Sequence, residues 1–266
     1  MTTLIQISDL HFGREHKEAI ALASDKIREI NPDGVIVAGD VTQRGKKSEF
    51  EAAKNWIDGL NAPSLVVAGN HDTPLLNLYE RVFDPFSRFE DDFGHQSQKL
   101  QVGNVCVWGL NTSRGWQARR NWAEGVVNMS ELSDIIGKAA DTDGVINILA
   151  CHHPFKAAPG SPLHTSTRRG EIASAELARS NISLLLTGHV HQPSLKLWEE
   201  PAGRYLAIGS GTLSDRLRNW PPSFSRLTFE DNTVQIDAYA LGDGELTIVS
   251  QGKYNLMGEK VGELSI

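Results

Sequence analysis

Apolar residues fall along this chain in two alternating patterns. Short continuous runs at residues 4–7, 35–38, 65–68, 145–150 and 182–186 have the length of strands buried on both faces. Between the first three stand stretches of helical spacing. Ile20, Ala23, Ile27 and Ile30 share one face, with Asn31-Pro32 as the stop, and Phe50, Ala53, Ile57 and Leu60 share another. Ser48 and Glu51 read as an S-x-x-E capping box that opens the second helix. This β-α-β-α-β rhythm predicts an α/β fold with parallel strands joined by right-handed crossovers. The loops at the carboxyl ends of such strands are where ligands bind.

Further along, residues 75–93 are rich in aromatic and charged side chains and read as helical or irregular, interrupted at Asp84-Pro85. Residues 99–110 form a hairpin pattern turning at Gly103-Asn104. Leu132, Ile135, Ile136 and Ala139 mark a helix over 130–140, and another is expected near 171–180. From about residue 195, short strand patterns alternate with turns at Pro201-Ala202-Gly203, Glu230-Asp231-Asn232 and Gly242-Asp243-Gly244, which predicts an antiparallel C-terminal part. With no repeat, low-complexity tract or linker, residues 1–266 are expected to form a single domain.

Composition narrows the function classes. A chain that is 40% hydrophobic and 22% charged fits a packed protein and excludes a disordered or collagen-like one. A net charge of −7 gives no general attraction to polyanions, so nucleic acid is not an expected partner. Two cysteines, Cys106 and Cys151, are too few for a disulfide framework and suit a reducing compartment. The first residues lack a signal-peptide pattern and no run approaches 18 apolar residues, so the expectation is a cytoplasmic protein with no membrane partner.

Five of the strands run into polar loops: Asp9-x-His11, Gly39-Asp40, Gly69-Asn70-His71-Asp72, His152 and Gly188-His189-x-His191. Carboxylate, amide and imidazole groups gathered at one sheet edge are a ligand set for divalent metal. Seven candidate ligands exceed what one ion needs, unless two ions about 3.5 to 4 Å apart share a carboxylate. In order and spelling, D-x-H, G-D, G-N-H-D, H and G-H-x-H resemble the signature of the calcineurin-like metallophosphoesterases. The block Gly39-Asp40-Val41-Thr42-Gln43-Arg44-Gly45 and the Gly188-His189-Val190-His191 ending are similar to the bacterial class III cyclic-nucleotide phosphodiesterases.

The resemblance implies a four-layer α/β/β/α sandwich of two mixed sheets. It implies one ion on Asp9, His11, Asp40 and His191, and a second on Asp40, Asn70, His152 and His189. Mn, Fe and Zn all suit such ligands. The implied reaction is attack of a metal-bridging hydroxide on a small phosphodiester such as a cyclic nucleotide. Alternatives are a phosphomonoesterase or nuclease of the same superfamily, or a non-catalytic interaction module; the oligomeric state stays open, a homodimer included. His71 is implied to face the substrate, where a cationic imidazole contacts a phosphoryl oxygen or protonates the leaving group. Many phosphatases of the superfamily carry a second aspartate where this chain has Gln43, which speaks against the protein Ser/Thr phosphatase branch and leaves Asp72 as a candidate catalytic partner of His71. Arg14, three residues after His11, is a candidate phosphate contact, with Arg44, Arg114, Arg168 and Arg169 behind it. The plainer expectations are that His16, His95 and His164 lie at the surface or hydrogen-bond locally, that His153 supports the ligand His152 or packs in the core, and that Cys151 is packing. Gly39, Gly69 and Gly188 are expected to serve tight turns, while residues 155–170, Trp116 and Trp122 either shape a pocket or simply pack.

Overall fold

A computed structural model describes residues 1–95, 98–117, 121–162, 167–256 and 259–261; His164 lies outside them. In chain order its first elements are β1 (Thr2–Ile7), α1 (Lys17–Ile30), β2 (Gly34–Val37), α2 (Lys47–Asp58), β3 (Ser64–Val66), α3 (Leu78–Phe83), α4 (Ser87–Phe93), β4 (Lys99–Val102) and β5 (Val105–Gly109). There follow α5 (Met129–Ala140), β6 (Ile146–Ala150), α6 (Gly170–Ala178), β7 (Ile182–Thr187), β8 (Ser194–Glu200), β9 (Gly203–Gly209), β10 (Ser223–Glu230), β11 (Thr233–Gly242) and β12 (Glu245–Asn255).

Two six-stranded sheets face each other, ordered β12-β11-β10-β1-β2-β3 and β4-β5-β6-β7-β9-β8. Their shared core holds Leu4, Ile36, Val107, Ile148, Leu184, Leu186, Leu206 and Leu227. Alternate residues of the same strands, Ile5, Ile7, Val35 and Val37, face outward and are covered by Ala19, Ala23 and Ile27 of α1 and Phe50, Ala53 and Ile57 of α2. On the far side, α5 and α6 cover the second sheet with Leu132, Ile135, Ala139, Ala173 and Leu177. Each central strand is therefore buried on both faces, which is why its sequence is a continuous apolar run, and the layers are α/β/β/α.

β1, β2 and β3 pair in parallel, as do β5, β6, β7 and β9, so the carboxyl ends of five motif-bearing strands lie along one edge. Gln6 ties the sheets together just below that edge: its Nε2 donates to the Thr187 carbonyl at 3.1 Å and the Ile208 carbonyl at 3.0 Å.

Two local expectations differ. The second helix starts one residue earlier than Ser48 and is capped by Glu49, not by Ser48 with Glu51: Glu49 Oε2 accepts from the backbone N–H of Arg44 at 2.7 Å and of Lys46 at 3.3 Å. Glu49 is buried, so it reaches amides that the exposed Ser48 does not. The C-terminal part is not one antiparallel unit, because β9 pairs in parallel with β7 while β10 joins β1. Turn residues set the hairpins locally, but which sheet edge each hairpin completes depends on where an unpaired strand is available. Among the described residues no helix is long and apolar enough to cross a membrane.

Candidate metal centre

The polar loops are pinned to one another before any side chain is considered. The Asp9 N–H donates to the Gly39 carbonyl at 2.9 Å, His11 N–H to the Asp40 carbonyl at 3.0 Å, and Gly188 N–H to the His152 carbonyl at 3.0 Å. Asp9, His11, Asp40, His189 and His191 all adopt positive φ, between 47° and 69°. Such backbone costs on the order of 1–3 kcal/mol per residue and gathers where function requires it. Gly69 and Gly188 are glycine because of close approach, not turn conformation: a Cβ on Gly69 would strike the Asp40 carboxylate, and one on Gly188 would strike Ser8 and Asp9. Gly39 does have φ +89°, as the turn expectation required.

The imidazoles converge on two carboxylates. His191 Nε2 lies 3.0 Å and His11 Nε2 3.7 Å from Asp9 Oδ1. Asp40 Oδ2 is 3.8 Å from His11 Nε2 and 3.3 Å from His152 Nε2, and His152 Nε2 is 3.3 Å from His189 Nδ1. Asp40 thus stands between a group of Asp9, His11 and His191 and a group of His152 and His189. Its other oxygen accepts the backbone N–H of His71, the residue after Asn70, at 2.8 Å. All seven sequence-derived ligand candidates are buried here.

Backbone carbonyls set the tautomers. Nδ1 donates to the carbonyl of Thr42 from His11 (3.3 Å), of Ala38 from His152 (2.8 Å) and of Arg216 from His191 (2.6 Å), leaving each Nε2 facing inward. Burial pushes His11 and His189 down to about 3, keeping them neutral and ready to ligate. For His152 burial acts the same way, but the Asp40 charge and hydrogen bond overcome it and raise the ring to about 9. Asp9 and Asp40 are opposed by burial yet held well below the usual carboxylate range, by His191 and His152 respectively.

Among the described residues seven buried side-chain polar atoms have no hydrogen-bond partner, and Asp9 Oδ1 and Asn70 Oδ1 are two of them. Unsatisfied buried acceptors of this kind carry a large desolvation cost, and both residues are ligands in the set that the resemblance implies. The donor set of carboxylate, amide carbonyl and neutral imidazole fits divalent cations.

Outside these seven, the structure rearranges several roles. Asp72 does not touch the His71 ring: its carboxylate accepts the backbone N–H of Thr42 (2.8 Å), Gly69 (2.8 Å) and Val41 (3.2 Å) and the Thr42 hydroxyl (2.9 Å), so it fastens the loops after β2 and β3 together. The tight turn after Asn70 aims Asp72 back at that backbone. His71 lies beside His11 and Asp40, with the ligating atoms of the three within 4.8 Å of one another. Its Nδ1 donates to the Gln43 carbonyl at 2.8 Å, and its Nε2 is 2.7 Å from Arg216 Nη1, where a guanidinium can only donate and the imidazole must accept. Arg14 is exposed, and its carbonyl accepts the Asp215 N–H at 3.2 Å. His153 is buried beside His152 and His189; its Nε2 donates to the Ala123 carbonyl and its Nδ1 accepts the Thr112 hydroxyl, both at 2.9 Å. His16 caps α1, accepting the Ala19 N–H, and Cys151 is buried, its thiol pushed well up by desolvation.

Arg216 was not singled out by any motif. It lies far along the chain in a loop without recognisable spacing, and only its approach to His71 and His191 reveals it.

The geometry has counterparts. The pattern of the calcineurin-like phosphoesterases matches residues 2–193. A probable glycerophosphodiester phosphodiesterase GpdQ of Arcobacter nitrofigilis is 25% identical over 287 aligned positions, covering 98% of both chains. A probable cyclic nucleotide phosphodiesterase of Synechococcus is 22% identical over 201 positions, covering 71% of this chain and 73% of its own. A crystal structure of a dimetal phosphatase from Danio rerio shares the fold with a TM-score of 0.67 at 11% identity, over 96% of this chain and 99% of that one. With its motif residues brought to one buried cluster and the family pattern spanning most of its length, this chain belongs to the calcineurin-like phosphoesterase family, the metal-dependent phosphoester hydrolases.

Proposed function

We propose that the protein, read as one domain over residues 1–266, hydrolyses small phosphodiesters at a centre of two divalent cations. Asp9, His11, Asp40 and His191 would hold one ion; Asp40, Asn70, His152 and His189 would hold the other. The observation that carries this reading is Asp40 Oδ2, within 3.8 Å of His11 Nε2 on one side and 3.3 Å of His152 Nε2 on the other. The orphaned oxygens of Asp9 and Asn70 support it. When bound, such ions lower the pKa of a coordinated water toward about 7 and offset charge on phosphoryl oxygens. The chain's own part is to keep the ligands rigid, dry and in the right tautomer, so that little reorganisation accompanies the reaction. The diesterase names of the two relatives favour a diester over a monoester.

The test is to strip the protein of metal, reload it separately with Mn, Fe or Zn, count bound ions, and compare a cyclic nucleotide, a glycerol-linked diester, an aryl diester and an aryl monoester. The expected result is about two ions per chain and faster turnover of a diester, with both lost in Asp40→Ala. Full activity of Asp40→Ala, or a monoester outpacing every diester, overturns the reading.

A further inference from the structure

The loop of residues 210–222, between β9 and β10, is stitched to the motif loops after β1 and β7. Its Thr212 hydroxyl donates to the Asp9 carbonyl at 2.6 Å, its Leu213 carbonyl accepts the His16 N–H at 3.0 Å, and its Arg216 carbonyl accepts His191 Nδ1 at 2.6 Å. The loop therefore has a fixed position against the cluster, and it carries two half-buried arginines two residues apart, Arg216 and Arg218.

Neither arginine has a carboxylate partner among the described residues. Arg216 spends one N–H on His71 Nε2 at 2.7 Å, and His71 is itself fixed by donating Nδ1–H to the Gln43 carbonyl. Arg216 touches the cluster directly, through His71 and through its carbonyl on His191, and Arg218 follows it in the same pinned loop, where Asp9 opposes the effect of burial on its guanidinium. Two unpaired guanidiniums beside a centre built for two cations raise the energy of the free protein. An anion with several oxygens offsets that cost, and guanidinium forks match phosphoryl oxygens in geometry and charge.

We propose that Arg216 and Arg218 clamp the non-bridging oxygens of the substrate's phosphoryl group and that His71 is the positioning residue for Arg216. This rests on the reading of the cluster as a phosphoryl-binding centre. It gives His71 Nε2 the job of a lone-pair acceptor that aims the guanidinium, in place of the proton donor implied by resemblance.

The probe is inorganic phosphate titrated calorimetrically into Mn-loaded protein, with ion counts on every variant and steady-state kinetics on the best diester. Arg216→Ala keeps the backbone carbonyl that holds His191, so it is expected to retain its ions while phosphate affinity falls about 10- to 100-fold, the weight of a charge-assisted hydrogen bond. KM is expected to rise by a similar factor. Arg216→Lys recovers part of the loss, free guanidinium restores Arg216→Ala, and His71→Ala combined with Arg216→Ala is no worse than Arg216→Ala alone. Arg218→Ala weakens phosphate in the same direction. Unchanged phosphate affinity in Arg216→Ala, loss of metal from that variant, or additive effects of His71→Ala and Arg216→Ala overturns the proposal. Wild-type protein that binds phosphate through Arg216 but hydrolyses no diester supports the clamp and defeats the diesterase reading; wild-type protein that turns over diesters with no loss in either arginine variant does the reverse.

Discussion

His152 in the metal-free protein is held protonated up to about 9 by Asp40, although burial pulls the other way. Since this folded value stands above the ordinary 6.5, the ion pair contributes stability that is fully present below about 6.5 and is lost as pH rises through about 9. The same proton must leave before the ring ligates, so metal affinity is expected to tighten over that interval and binding to release protons. Manganese titrations at pH 7 in two buffers of different ionisation enthalpy measure this; identical heats in both would contradict it. For Asp72 the expectation is structural. Asp72→Ala orphans three buried amides and should cost about 1–3 kcal/mol, seen as a lower unfolding midpoint, while the pH profile of turnover keeps its position because the carboxylate never meets the His71 ring. A displaced profile with an unchanged midpoint would return Asp72 to the catalytic role.

Among the elements, β1 and α2 each depend on one buried polar side chain. Gln6→Leu would leave the Thr187 and Ile208 carbonyls without their donor across the sheet interface, at a cost of about 1–3 kcal/mol. Thermal unfolding of metal-free protein reads that loss directly. For α2, Glu49→Ala should destabilise by about 1–2 kcal/mol and Ser48→Ala by less than about 0.5, since Glu49 caps the helix and Ser48 is exposed. Equal midpoints for the two variants would show that the cap is elsewhere. The apolar periodicity of both helices was legible because it depends on neighbours within a turn or two. The cap was misplaced by sequence because Ser48 and Glu49 are both credible cap residues, and only burial chooses between them.

For the molecule as a whole, the cluster joins loops from both sheets, so ions bound there act on the entire fold. By mass action, metal at 100 times its dissociation constant stabilises by about 2.7 kcal/mol per site. Chelation is therefore expected to lower the unfolding midpoint of wild-type protein and to leave Asp40→Ala unmoved; a chelator that shifts both equally would mean the ions sit elsewhere. C-terminal strands matter at this scale too, since β8 and β9 finish one sheet and β10 to β12 the other.

By itself the chain's order of residues determined most strands and helices, the α/β class and the polar loops that follow the strands, because each depends on short-range periodicity. The four-layer class and the set of seven ligands followed from the resemblance of those loop motifs to a known family. Tertiary structure alone decided that Asp72 turns away from His71 to the backbone of the loop after β2, and that Arg216 reaches His71 from 145 positions along the chain. Contacts of that kind arise when separate loops are packed against one another, and no local pattern in the sequence encodes the distance between them.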